Sequence, residues 1–394
     1  MPKVGWDTVT VPGVVAGWKA LSERFGKLPF ARLFEPAIGY ARDGFLVSPQ
    51  IARQWATQVP VLEGQPGFRE AFLPQGRAPK AGERWNFPDQ AHTLAEIAET
   101  GGRSFYTGRL AGQIADYAKQ CGGALSAEDL AAHTHTWVEP ISQLFRGYKL
   151  HEIPPNGQGI AALIGLGILE QFDIESMGCD STDFYHVVIE AMKLAFADLH
   201  SHVSDAETMQ VPHASLLDPA YLVARASTIR MRSASTPEAG MPKTGGTVYL
   251  TTADAGGSMV SFIQSNYRGF GSGVVVPGTG IALHNRGEGF NLKPGHPNCV
   301  APRKQPMHTI IPGFITRDGA PVMSFGVMGG SMQAQGHVQM MARLAAFGQN
   351  PQVMSDAPRF RVESGPVVHV ESHMPSDVVD GLRARGHRVD VAPP

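Results

Sequence analysis

An α+β architecture follows from three features of this 394-residue chain. Helical periodicity fills the first part, hairpin-like alternation fills the last, and one pattern gives way to the other at Gly245-Gly246-Thr247. Residues 1–246 are therefore read as a mostly helical part, and residues 247–394 as a sheet-rich part.

Within the first part, Phe184, Val188, Ala191, Ala195 and Leu199 fall on one helical face, with Ser181 or Thr182 as the N-cap. Residues 201–246 contain Pro212, Pro219, Pro237 and Pro242 and a loose Ser/Thr/Gly run from Ser233 to Gly246, which is linker composition. Beyond it, Thr247–Asp254 and Met259–Ser265 flank Ala255-Gly256-Gly257-Ser258 as a hairpin. Thr309–Thr316 and Val322–Val327 flank Arg317-Asp318-Gly319 as a second. A Gly329-Gly330 break then leads into a helix from about Ser331 to Phe347. No internal repeat or low-complexity tract is present.

A net charge of −2 offers no basic field for nucleic acid. The 43% hydrophobic and 17% charged content is that of a globular protein. The longest apolar run, Gly159 to Leu169, is too short to span a bilayer, and Met1-Pro2-Lys3 lacks the apolar core of a signal peptide. A soluble, cytoplasmic protein without nucleic-acid or membrane partners is expected. Cys121, Cys179 and Cys299 are scattered and odd in number, suggesting neither a disulfide framework nor a cysteine-based metal site.

Chemistry concentrates at Thr247. If the Gly246–Thr247 bond opens, Thr247 gains a free α-amine beside its hydroxyl, a nucleophile and its base in one residue. Gly246 lacks a Cβ, so it tolerates strained angles and leaves its carbonyl open to approach. On pattern alone, Thr247 reads as an ordinary strand threonine behind a glycine turn. Gly329-Gly330 stand where a strand ends and a helix starts, so their N–H groups could steady an oxyanion, or form an ordinary strand-to-helix turn.

In collinear order, the chain resembles the γ-glutamyltranspeptidases, which are N-terminal-nucleophile (Ntn) hydrolases. The likeness runs from Thr8-Val9-Thr10-Val11-Pro12-Gly13 through Phe34-Glu35-Pro36-Ala37-Ile38, Arg146-Gly147-Tyr148 and Pro154-Pro155-Asn156-Gly157-Gln158-Gly159. It continues through the Glu190–Asp198 helix, Thr247, Phe270-Gly271-Ser272-Gly273, Lys293-Pro294-Gly295, Gly329-Gly330 and Asp356-Ala357-Pro358-Arg359-Phe360. The resemblance implies a four-layer αββα sandwich with two stacked, mainly antiparallel sheets, assembled from large and small subunits cut from one precursor as a heterodimer, perhaps paired further. It implies Thr247 as nucleophile after cleavage at Gly246, with Gly329 and Gly330 as oxyanion donors. Ser265 stands where the family orients its nucleophile, and Asn266 where it touches substrate. Set against the family, the chain is expected to lack an opening helix upstream and a final strand downstream.

The substrate motif departs from the family pattern. Acidic residues that would hold a γ-glutamyl ammonium are replaced in His284-Asn285-Arg286-Gly287-Glu288-Gly289-Phe290, where Arg286 brings a like charge. A carboxylate-bearing amide without an amine suits Arg286, which can bind it bidentately, with Glu288 beside it; on pattern alone Arg286 reads equally well as a solvated surface residue. The serine pair of the family is replaced by His308-Thr309, and the short Lys293–Pro306 segment leaves no lid loop. These departures resemble the oxamate-amidohydrolase branch. Hydrolysis of a small anionic amide is therefore the leading expectation, γ-glutamyl transfer or glutathione hydrolysis the second, and neither requires a metal or organic cofactor.

Two other enzyme classes fit the residues less well. A metal-dependent amidohydrolase could draw on His133, His135, His151 and His186, but no second ligand pair stands at metal spacing. A serine hydrolase fails because Gly269-Phe270-Gly271-Ser272-Gly273 is not a G-x-S-x-G elbow. A relative that never matures and serves only in binding completes the alternatives.

Overall fold

The computed structural model describes residues 1–236 and 246–392. The part of the expected linker at 237–245, with Pro237, Pro242 and Gly245, lies outside the described residues. The chain forms two compact units, Met1–Trp137 with Ser265–Gly289 and Val138–Gln264 with Phe290–Pro394, so Thr247 falls inside the second.

The first unit is built from the helices Val14–Phe25, Glu35–Asp43, Pro49–Leu62, Pro88–Thr100 and Arg109–Gln120. Pro36, Pro49 and Pro88 occupy first-turn positions, where the missing N–H costs nothing. Ser48 caps one of these helices, its hydroxyl accepting from Ile51 N at 3.3 Å. One core gathers Trp6, Phe105, Ile114 and Leu130 around Val274, Val276 and Leu283. An aromatic core of Trp55, Phe68 and Phe72 receives Phe270, with ring centroids 4.7–5.4 Å apart. The Phe270–Gly273 loop is thereby pinned, and a Cβ on Gly271 would lie 2.4 Å from the Leu283 carbonyl oxygen. Ser272 is buried and its hydroxyl donates to that same oxygen at 2.7 Å, which leaves it no role as a nucleophile.

The second unit is organised around Gly159–Leu169, the apolar run, whose eleven residues are all buried. A helix apolar on every side must be enclosed by protein, and glycines let its neighbours approach. Gly165 faces Met192 and Val338, and Gly167 faces Leu222. The enclosing helices are Thr182–His202, Pro219–Ala226 and Met332–Phe347. A four-stranded antiparallel sheet orders Ala320–Phe325, Gly313–Arg317, Tyr148–Glu152 and Ile141–Phe145. Both of its hairpins turn on residue pairs with positive φ, Arg146-Gly147 (49° and 79°) and Asp318-Gly319 (51° and 79°). Such turns match the twist of the strands they join. A three-stranded sheet of Phe360–Ser364, Val367–Glu371 and Arg388–Ala392 closes with a parallel pair reached through the helix Ser376–Ala384.

The expected helix is found at Thr182–His202, with Ser181 Oγ accepting from Phe184 N at 3.1 Å and all five apolar markers buried. Both expected hairpins form, although the strand expected from Thr309 starts at Gly313. Linker composition misleads at Pro219–Ala226, which is helical. Pro219 there is a first-turn proline, Asp218 caps the helix through Ala220 N and Tyr221 N, and Leu222 fills the space above Gly167. Among the described residues, no helix is long and apolar enough to cross a membrane.

Candidate active site

Thr247 is half-buried in the strand Gly246–Ala253, which pairs with Met259–Tyr267. Their connection is an Asp turn, in which Asp254 Oδ1 accepts from Gly256 N at 2.8 Å and Ser258 N at 3.0 Å, with Gly257 at φ 84°. Further up the strand, Thr251 Oγ1 meets Ser324 Oγ, while the Tyr249 ring lies against Gly326. The two contacts advance in opposite directions along the two segments. The Thr247 end therefore lies toward Gly329-Gly330, and the far end toward Ala320.

Gly329 and Gly330 adopt φ 117° and 62°, values that suit glycine, immediately before Met332–Phe347. Their carbonyls accept from Met332 N and Gln333 N, both at 3.1 Å. Among the described residues, neither glycine N–H has a protein acceptor. Two unused donors at the positive end of a sixteen-residue helix are suited to a developing oxyanion. His308 and Thr309 are strapped to Asn156–Gln158: His308 N donates to Asn156 O at 3.1 Å, and Gln158 N donates to His308 O at 3.0 Å. Behind them, the His337 ring meets Glu152 through Nδ1 and Oε1 at 2.5 Å, both side chains fully buried. Burial pushes the Glu152 carboxyl up and His337 opposes that shift.

The other candidates belong to the first unit. Ser265 Oγ accepts from Tyr267 N at 2.9 Å, where the chain turns through φ 76° at Tyr267. Asn266 is exposed, and its carbonyl accepts from Asn285 N at 3.1 Å. Arg286 is buried, 9% exposed, with its guanidinium 5.0 Å from the Tyr267 ring centroid. Burial brings its pKa down to about 10, leaving it cationic at neutral pH. Its backbone N–H donates to His284 Nδ1 at 3.1 Å, so that ring nitrogen carries no proton. Glu288 is gripped by Arg268 and also accepts from Asn285 Nδ2 at 3.2 Å. Sequence reasoning did not single out Arg268 or Gln158, because neither stands in a pattern that marks its partner.

Of the histidines that could suggest a metal, His133 stacks on Tyr106 and His151 Nε2 meets Thr316 Oγ1 at 2.9 Å. Among the described residues, one group, His186, Glu190 and His387, brings its ligand atoms within 4.8 Å of one another. Lys193 Nζ already fills that place, 2.8 Å from Glu190 Oε1 and 3.2 Å from His387 Nδ1.

Known proteins resemble this chain along most of its length. A family model described as Gamma-glutamyltranspeptidase matches residues 1–394. The glutathione hydrolase-like YwrD proenzyme of Bacillus subtilis is 35% identical over 397 residues, covering 99% of this chain and 75% of that protein. The oxamate amidohydrolase proenzyme of Klebsiella pneumoniae is 36% identical over 393 residues, covering 97% of this chain and 74% of that one. The crystal structure of cephalosporin acylase from Bacillus halodurans superposes with a TM-score of 0.95 at 46% identity, covering 100% of this chain and 73% of its own.

Proposed function

Because this chain belongs to the gamma-glutamyltranspeptidase family of Ntn hydrolases, we propose that it cuts itself before Thr247 and then hydrolyses a small anionic amide through a threonyl ester. Membership makes it an α+β enzyme of the amidohydrolase and acyltransferase type, related to proteins made as proenzymes. The site roles that follow are our reading.

In the precursor, Thr247 Oγ attacks the Gly246 carbonyl. The C–N bond breaks as the ester forms, which frees the Thr247 amine, and water then hydrolyses the ester to a Gly246 carboxylate and the Thr247 hydroxyl. In the mature enzyme that amine takes the hydroxyl proton as Oγ attacks the substrate amide, and the proton passes to the departing amine or ammonia. Gly329 and Gly330 N–H groups receive the oxyanion. Water closes the cycle by hydrolysing the ester.

A single observation carries the choice of an anionic substrate: Glu288, the acidic residue kept in the substrate motif, is held by Arg268, while Arg286 supplies a buried cation stacked on Tyr267. An ammonium would meet a like charge there, whereas a carboxylate would be bound by charge-assisted hydrogen bonds. Likeness to a cephalosporin acylase supports a second reading, a larger acyl amide at the same nucleophile. Purified protein assayed on oxamate, a γ-glutamyl anilide and a cephalosporin amide separates these readings. Oxamate turnover is expected, and exclusive turnover of the anilide would sink the anionic-amide reading.

A further inference from the structure

Gln158 follows the Asn156-Gly157 turn and is fully buried at the start of the Gly159–Leu169 helix. Its Nε2 donates to two carbonyl oxygens, Thr309 O at 2.7 Å and Gly330 O at 2.8 Å. Only an NH₂ group can face two carbonyls, so the chemistry fixes which way the amide points. Among the described residues its Oε1 is buried without a hydrogen-bond partner, a cost that an apolar side chain would avoid. The same strap grips the neighbouring segment through its backbone and through Asn156 Nδ2, which donates to Pro306 O at 2.6 Å. Gly330 carries no Cβ and sits at φ 62°, and its carbonyl is shared between Gln333 N at 3.1 Å and Gln158 Nε2, so the two donors together set the turn's orientation.

We infer that Gln158 is a positioning residue for the reaction at Thr247. Its amide locks the Gly330 peptide and ties the oxyanion turn to the Thr309 segment, so that acyl-group recognition and oxyanion stabilisation keep one fixed geometry. The inference rests on the reading of Gly329 and Gly330 as oxyanion donors. Pre-set donors need no reorganisation as charge develops, and a donor displaced by a fraction of an ångström loses much of its effect.

Matured Gln158→Met and Gln158→Glu proteins, assayed on oxamate against wild type and Gly329→Ala, test it. Gln158→Met keeps the side-chain length without the donors. Its kcat should fall about 10- to 100-fold with KM changed less than about 3-fold, since the loss falls on the transition state. A carboxylate at 158 would face two carbonyl oxygens and repel them, whereas a protonated carboxyl restores one donor. Gln158→Glu should therefore gain activity relative to wild type as pH falls from 8 to 5.5, a response that Gln158→Met lacks. Full kcat in both variants while Gly329→Ala is crippled would overturn the role of Gln158. Full kcat in Gly329→Ala would instead overturn the oxyanion reading. Should Gln158→Met fail to mature, a Gln158→Glu profile parallel to wild type still overturns the inference.

Discussion

Arg268 closes on Glu288 with Nε on one carboxylate oxygen, at 2.5 Å, and Nη2 on the other, so the acidic residue of the substrate motif is neutralised by a neighbour in its own unit. Glu288 is one-tenth exposed, and Asn285, itself buried, braces it from the other side. Bidentate pairing in such a place is strong and directional. Arg286, two residues earlier, stays a buried cation over the Tyr267 ring at the start of the Arg286–Gly289 turn.

Replacing that cation should change recognition more than chemistry. Arg286→Gln is expected to raise KM for oxamate about 10- to 100-fold, roughly 1.4–2.8 kcal/mol of lost charge-assisted binding, with kcat within a few-fold. Steady-state kinetics on oxamate and on an uncharged amide of similar size provide the check. Equal losses on both substrates would show that Arg286 acts structurally.

Thr247 carries the heaviest consequence. Thr247→Ala should run as one band on a denaturing gel and show no turnover, because both the attacking oxygen for maturation and the catalytic hydroxyl are gone. Thr247→Ser keeps an oxygen and an amine and should mature slowly to pieces covering residues 1–246 and 247–394. N-terminal sequencing of the smaller piece identifies the cut, and a start at any other residue refutes the assignment.

The packing of Tyr249 on Gly326 couples the Thr247 strand to the segment leading into Gly329. A Cβ at Gly326 would lie 2.4 Å from the Tyr249 ring, whose hydroxyl shares a hydrogen bond with Ser261 Oγ at 2.8 Å, so the ring cannot move without breaking that bond. Gly326→Ala is expected to slow self-cleavage at least about 10-fold by shifting the strand two residues from Thr247. Adding Tyr249→Ala removes the clash and should recover most of the loss. That non-additivity, read from gel time courses, is the test, and additive losses would count against the coupling.

Much of this is legible in the residues alone. The Thr182–His202 helix announces itself through a capping serine and a regular apolar face, and both hairpins through their turn glycines, because these signals are local. Pro219–Ala226 was hidden because first-turn prolines and linker prolines look alike until Leu222 is seen filling the space above Gly167. Within the site, Gly329-Gly330 could be picked out by their place between strand and helix. Gln158 could not, since its partners at Thr309 and Gly330 are 151 and 172 residues away. Arg268 escaped similarly: nothing in its own sequence neighbourhood shows that Glu288 is its counter-ion.

The acid limb of stability should be set largely by the buried cluster on Thr182–His202. His186 Nδ1 meets His387 Nε2 at 2.8 Å, Lys193 meets Glu190 and His387, and Glu190 Oε2 and Lys193 Nζ hold the Ser235 N–H and C=O at 2.9 and 3.0 Å. Burial first, then Lys193, His186 and Arg385, bring the His387 pKa down to about 3, and burial lowers His186 as well. A base whose folded pKa lies below its ordinary value near 6.5 binds fewer protons when folded. Its contribution is complete above about pH 6.5 and is lost as pH falls toward 3. Thermal melts should therefore show Tm level near pH 7–8 and falling steadily below 6.5. His387→Asn should lower Tm at pH 7, consistent with about 1–3 kcal/mol for stranded polar partners, yet flatten the acid limb. His200, brought down to about 4 mainly by burial, leaves a residual slope in the variant. An acid limb as steep in His387→Asn as in wild type would show that this cluster does not govern it.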